Sequence, residues 1–134
     1  MKALNIKVDS NLVKSSFSDI ESWSWIIKYA EVARKDFDIS SKSDYFRPND
    51  FITRAEAIAM LFKISKLNLQ TNSSNTFSDL DLETWMIKYL IKAKNLWLVK
   101  WQDINWKSYF KPNSNITRAE TSKIVVNLLK IMWK

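Results

Sequence analysis

Apolar side chains recur at helical spacing in four stretches of the chain. Two of these stretches carry the same residues four positions apart: Trp25, Tyr29 and Ala33, then Trp85, Tyr89 and Ala93. Residues four apart lie on one face of an α-helix, so each set forms an apolar stripe suited to a core. The spacing predicts one helix from about residues 22–24 to 35 and another from about residue 82 to 94.

A capping box marks the start of the other two helices. Thr53 precedes Glu56 by three residues, and Thr117 precedes Glu120 by the same interval. In this motif the threonine oxygen accepts a hydrogen bond from the glutamate amide, and the glutamate accepts one from the threonine amide. Apolar residues at helical spacing follow: Ala55, Ile58, Ala59, Leu61 and Phe62, and Ala119, Ile124, Val125, Leu128 and Leu129. The pattern predicts a helix after Thr53 and another over 118–132.

The predicted helices belong to a motif that occurs twice. FSDI at 17–20 recurs as FSDL at 77–80, FRPN at 46–49 as FKPN at 110–113, and ITRAE at 52–56 as ITRAE at 116–120. The recurrence divides the chain into an N-terminal extension (1–16), a first repeat (17–66), a linker (67–76) and a second repeat (77–134). Units of about 50 residues seldom hold a core alone, so the repeats should pack together. We predict an all-α fold of two helix-loop-helix repeats in a small helical bundle.

The composition argues against catalysis. The 134 residues include neither cysteine nor histidine, so thiolate and imidazole ligands and a near-neutral general base are missing. No isolated carboxylate pair stands out for acid–base chemistry. We therefore expect no enzyme activity, cofactor or metal. No apolar run approaches the roughly 18 residues of a transmembrane helix, and we expect any export signal to lie outside this sequence.

The charge balance favours an anionic partner. The 21 Lys and Arg residues exceed the 14 Asp and Glu residues, which gives a net charge of +7. The lysines are scattered along the predicted helices without a dense basic block, so we expect no nucleic-acid binding. Solvated helix faces are the alternative explanation for most of these charges.

Glycine is absent, whereas tryptophan occurs seven times. About 7% glycine is typical, and Trp97 lies at a predicted helix end where a left-handed glycine is usual. One hypothesis is that the source organism reads the UGA codon as glycine, while this sequence was translated with UGA as tryptophan. The residues that this hypothesis assigns as glycine are Trp23, Trp97, Trp101, Trp106 and Trp133. The alternative is a biased genome with genuine loop tryptophans.

The repeated motif resembles that of the S-layer homology (SLH) family. The resemblance rests on Phe-x-Asp, a tryptophan about six residues later, a helix, Phe-Arg/Lys-Pro-Asn and Ile-Thr-Arg-Ala-Glu, in this order at 17–66 and 77–132. It implies a non-catalytic module that anchors exported proteins at the bacterial cell envelope by binding an anionic cell-wall polysaccharide or a peptidoglycan-linked polymer. Members with three motifs form a pseudo-threefold bundle, so this chain is incomplete by comparison. A third motif could be lost, lie outside this sequence or come from another chain.

The resemblance also implies roles for particular side chains. Arg54 and Arg118 look like the family's carboxylate-binding arginines, and a guanidinium beside a helix N-terminus suits an anion. The alternative for both is an exposed arginine without a ligand. Asp19 and Asp79 either accept hydrogen bonds from sugar hydroxyls or cap the first helix of their repeat.

Trp25 and Trp85 have two possible roles. Each could offer a ring face to a sugar, although a tryptophan at helical spacing is more often part of a core. A different function also stays open, namely a protein–protein module whose repeats pair with those of a partner chain. That alternative predicts self-association into stable dimers and no glycan binding.

Overall fold

Four helices and one β-hairpin are present in the computed structural model, which describes residues 5–68, 76–80 and 84–133. The helices are α1 Ile27–Phe37, α2 Arg54–Ser65, α3 Thr84–Asn95 and α4 Arg118–Met132, and the strands are β1 Gln102–Ile104 and β2 Lys107–Tyr109. The four predicted helices are confirmed, and the hairpin corrects the all-α prediction. Within the described ranges, no helix is long and apolar enough to cross a bilayer.

Both predicted capping boxes are confirmed. Thr53 Oγ1 accepts a hydrogen bond from the Glu56 amide at 3.2 Å, and Glu56 Oε2 accepts one from the Thr53 amide at 3.0 Å. Thr117 and Glu120 make the same two bonds, each at 3.1 Å. The bonds satisfy amides that have no acceptor inside the helix, which explains why α2 and α4 begin where the sequence predicts.

α1 begins later than predicted, at Ile27 instead of residues 22–24. The Ser24 amide donates to the Glu21 carbonyl at 3.2 Å and closes a turn in which Trp23 has φ 66°. A left-handed residue cannot continue a right-handed helix, so α1 starts only after this turn. Its N-cap, Ile26, makes no side-chain capping bond. The predicted start of the third helix at residue 82 lies outside the described residues.

The hairpin lies between α3 and α4, in the stretch that the helix-loop-helix prediction leaves as a loop. Gln102 pairs with Tyr109 and Ile104 with Lys107 in antiparallel register, which leaves a two-residue turn at 105–106. Each strand has three residues, and those of β1 are all exposed, so no alternation of apolar and polar residues marks them. The turn itself, in which both residues have positive φ, defines the hairpin.

An apolar core joins α2, α3 and α4 in the compact unit Phe51–Lys134. α2 packs against both other helices. The buried side chains include those of Ala55, Ile58, Phe62, Leu90, Ala93, Ile124 and Leu128. The predicted core face of α4 is only partly right, because Ala119 and Leu129 are exposed.

The compact unit Met1–Asp50 has a smaller core around α1. Phe17, Ile20, Ile27 and Ala30 are buried in it, and the partly buried Ile26 and Phe46 pack against them. The boundary between the two units lies before α2, although the sequence of α2 belongs to the first repeat. α2 therefore shares its core with the second repeat.

Candidate ligand-binding site

Arg54, the first residue of α2, is buried, with 7% of its surface exposed. Its Nη1 donates to Glu120 Oε1 at 2.6 Å, its Nη2 to the Lys100 carbonyl at 2.8 Å and its Nε to the Phe110 carbonyl at 3.2 Å. All three acceptors belong to the second repeat. Arg54 therefore ties α2 to the second repeat, and this corrects the expectation that its guanidinium faces a ligand.

The second repeat also occupies the N-terminus of α2. The Arg54 amide donates to the Ser114 carbonyl at 2.9 Å, and the Ala55 amide donates to the Pro112 carbonyl at 3.0 Å. Amides at a helix N-terminus are the donors that would bind an anion. Because protein carbonyls already accept from them, this end of α2 offers no anion site.

Arg118 has the same position in α4 and a different environment. It is exposed, and in the described part of the chain its side chain has neither an ion pair nor a hydrogen bond. The amides of Arg118 and Ala119 likewise find no acceptor among the described residues. A guanidinium beside free helix-end amides combines two donors that suit a carboxylate or a phosphate. Arg118 is therefore the better placed of the two arginines to meet an anion.

Asp19 and Asp79 hold the loop that precedes the ITRAE segment of their own repeat. Asp19 accepts hydrogen bonds from the amides of residues 46 and 47 at 2.8 and 2.6 Å. Asp79 accepts from the amides of residues 110 and 111 at 2.8 and 2.7 Å. In both loops the second of these residues, Arg47 or Lys111, has positive φ, at 61° and 58°. The helix-capping alternative is wrong for Asp19, because α1 has no side-chain cap.

Hydrogen bonding lowers the pKa of two carboxyl groups in the first unit. Burial alone raises the pKa of Asp19, but the amides of Phe46 and Arg47 outweigh it and bring the pKa below the ordinary value of 3.8. For Glu31, burial also raises the pKa, while the Ser16 amide, two serine hydroxyls and a nearby arginine bring it below 4.5. Both groups therefore favour the folded state when they are ionised.

We expect acid to remove the stabilisation that Asp19 provides. Since its pKa is lowered on folding, the carboxylate stabilises the fold above about pH 3.8, and this contribution is lost as the pH falls through the folded-state pKa. Asp19→Asn should lower the urea midpoint near neutral pH, and its difference from the parent should shrink in acid. Glu21→Gln, at an exposed position, is the control. A difference that stays constant from neutral to acid would contradict the assignment.

Trp25 is on the surface, with 75% of its area exposed, so the core alternative is wrong for this residue. Its ring meets the half-exposed Tyr29 ring edge-on, at 6.2 Å between centroids. Lys28 Nζ lies 5.2 Å from the centroid of the same tyrosine ring. We call Trp25, Lys28 and Tyr29 the α1 platform. Exposed ring faces beside an ammonium group suit a sugar that carries negative charge.

Lys28 and Tyr29 were not among the site residues predicted from the sequence. The apolar stripe predicts that Tyr29 lies in a core, and the equivalent Tyr89 of α3 is indeed buried. The available signal was the aromatic pair four residues apart with a lysine beside it, but that signal is present in both repeats. The side chain of Trp85 lies outside the described residues, so its predicted role stays a prediction.

No group of three or more acidic side chains in the described ranges could hold a metal ion.

Residues 16–58 match the model of the S-layer homology domain. The chain is 32% identical to an amylopullulanase of Thermoanaerobacterium thermosulfurigenes and 30% identical to the exoglucanase XynX of Acetivibrio thermocellus, in each case over 97% of its own length. It spans 7% of the first relative and 12% of the second. The similarity therefore extends beyond residues 16–58 into the second repeat.

Proposed function

We propose that this chain is a non-catalytic module of the S-layer homology family that holds a larger protein at the cell surface by binding an anionic cell-wall glycan. The match of residues 16–58 to the family model supports the proposal. The family is one of cell-surface anchoring proteins. In both relatives the matching stretch is a small part of a longer protein, which supports the proposal that this module belongs to a larger protein.

Glycan binding is supported chiefly by the exposure of Arg118 at the N-terminus of α4, whose first two amides have no acceptor among the described residues. An acidic sugar or a phosphate group could accept from the guanidinium and from the amides of Arg118 and Ala119 at the same time. The net charge of +7 would attract an anionic polymer towards the protein. Arg54 has no part in this proposal, because its donors are bound within the fold.

The α1 platform is the second feature that supports glycan binding. Trp25 and Tyr29 expose aromatic surface to solvent, and Lys28 adds a positive charge beside them. A polymer with repeating acidic sugars offers both apolar ring faces and carboxylates. The α1 platform and Arg118 belong to different compact units, so they are two separate candidate sites.

We expect Arg118→Ala to weaken retention on purified cell-wall polymer by about tenfold or more, because a charge-assisted bidentate contact is lost. Arg118→Lys keeps the charge but loses the planar fork, so it should restore only part of the binding. Helix content should not change, since the side chain is exposed. The measurement is co-sedimentation of each folded variant with the polymer over a range of salt concentrations.

Lys123→Ala is the matched control for this experiment. It removes one positive charge from an exposed position on the same helix and leaves the N-terminus of α4 intact. Equal losses for Arg118→Ala and Lys123→Ala would mean that net charge alone drives retention. Full binding by folded Arg118→Ala would remove Arg118 from the proposed site.

Protein–protein assembly is the second candidate function. Val126 and Leu129 of α4 are exposed, as is Trp133 directly after the helix, and the three side chains line a shallow pocket together with Lys130. Exposed apolar patches of this kind often mark interaction surfaces. Light scattering beside the co-sedimentation separates the two candidates, because a stable dimer that retains no polymer would favour assembly.

A further inference from the structure

Three of the seven tryptophans have left-handed backbone conformations. The φ angles are 66° at Trp23, 57° at Trp97 and 67° at Trp106. Their side chains are at least 73% exposed, although the Trp97 ring contacts that of Trp101 at 5.4 Å between centroids. In this region the β-carbon of an L-residue lies too close to the following carbonyl, and glycine alone escapes that clash.

Trp97 occupies the left-handed position of a Schellman motif at the end of α3. The Leu98 amide donates to the Ala93 carbonyl at 3.0 Å, and the Trp97 amide donates to the Lys94 carbonyl at 2.9 Å. These are the two bonds that define the motif, and glycine is its usual residue at this position. The first repeat ends α1 with the left-handed Asp38, a residue type that tolerates this conformation better.

Trp106 is the second central residue of the hairpin turn. With Asn105 at φ 50° and Trp106 at φ 67°, and with Ile104 paired to Lys107, the turn is of type I′. The preferred pair for this turn is Asn-Gly, because both central residues need positive φ. The asparagine is present at the first position, and a tryptophan stands where glycine is preferred.

Trp23 is the third residue of the turn closed by the Ser24 amide and the Glu21 carbonyl. Positive φ at the third residue alone identifies a type II turn, which favours glycine at that place. Three different motifs therefore each carry a tryptophan at the one position where glycine is favoured. The chain meanwhile contains no glycine at all.

We propose that residues 23, 97 and 106 are glycine in the protein made by its own cells, because those cells read UGA as glycine. The geometry separates these three positions from other tryptophans. Trp133 has φ −107°, and Trp25 and Trp101 are not among the residues with positive φ. Trp101 also packs its ring edge-on against Phe77 at 6.1 Å. The proposal leaves Trp25 of the α1 platform as a tryptophan.

Peptide mass spectrometry of the protein isolated from its own cells tests the proposal. Trypsin cleaves after lysine and arginine. Residues 95–100 therefore form a peptide in which Trp97 is the single tryptophan, and residues 101–107 form one that contains Trp101 and Trp106. Residues 15–28 carry Trp23 beside Trp25. We expect fragment masses with glycine at 23, 97 and 106 and tryptophan at 25, together with UGA codons at the three positions. Tryptophan masses or UGG codons at those positions would overturn the proposal.

A stability measurement tests the geometric premise separately. The triple variant Trp23→Gly, Trp97→Gly and Trp106→Gly should melt higher than the protein with tryptophan at these positions by roughly 5 °C or more, since three strained residues are relieved. Trp25→Gly is the control and should not raise the melting midpoint, because residue 25 lacks positive φ and its ring contacts Tyr29. A triple variant that melts no higher than the protein with the three tryptophans would contradict the premise.

Discussion

Replacing Arg54 with alanine is expected to lower the free energy of unfolding by about 3 kcal/mol, whereas Arg118→Ala should change it by less than about 0.5 kcal/mol. Removing the Arg54 side chain deletes an ion pair and two hydrogen bonds to carbonyls of the second repeat. The loss lies near the lower end of the range for buried ion pairs, because Glu120 is 42% exposed and can be solvated. Urea unfolding followed by circular dichroism measures both variants.

Arg118→Ala is a closely matched control for Arg54→Ala. Both positions are the first helical residue after the threonine of a capping box, and both lie in the sequence ITRAE. A local effect on helix formation would therefore destabilise both variants equally. Equal losses of unfolding free energy in the two variants would show that Arg54 is not held by the second repeat. A loss confined to Arg54→Ala would support the contacts between Arg54 and the second repeat.

Helix starts that depend on near neighbours in the sequence could be predicted. A capping box joins residues three apart, so Thr53 and Thr117 mark α2 and α4 whatever the rest of the chain does. The start of α1 could not be predicted in this way, because it depends on a left-handed turn at Trp23 that no apolar pattern reveals. The hairpin was missed for a similar reason, since its turn carries tryptophan where the recognisable pair would contain glycine.

The different environments of Arg54 and Arg118 could not be predicted from their identical motifs. The acceptors of Arg54 lie 46, 56 and 66 residues further along the chain, and all of them belong to the second repeat. The Arg118 side chain is exposed and has neither an ion pair nor a hydrogen bond in the described part of the chain. The same five residues therefore form an internal tie in the first repeat and an open N-terminus in the second.

The aspartates are the opposite case, because both repeats use them in the same way. Asp19 and Asp79 each accept from two successive amides of the loop before their own ITRAE segment. Such a contact stays within one repeat, so it does not depend on whether another repeat comes after it. The repetition predicts that the two aspartates share a role, but only the structure identifies the loop amides as their partners.

Phe110→Ala is expected to lower the free energy of unfolding by about 3–5 kcal/mol, the usual loss for a fully buried phenylalanine. The ring is 1% exposed, meets the Phe77 ring edge-on at 5.1 Å and lies 5.3 Å from the Arg54 guanidinium. The substitution leaves the backbone groups of residue 110 in place, so their bonds to Asp79 and Arg54 can persist. The loss of unfolding free energy should therefore reflect the cavity that the missing ring leaves. Urea unfolding measures this loss.

Phe46→Ala is the matched control, because Phe46 has the same place in the first repeat and its amide donates to Asp19 as that of Phe110 does to Asp79. Its ring is only partly buried and packs against Phe17 at 5.2 Å. Less apolar surface is lost on truncation, so the destabilisation should be clearly smaller. If the two variants lose the same stability, burial of the ring is not what distinguishes the repeats. If Phe110→Ala loses more, the second repeat, together with α2, holds the larger share of the apolar core.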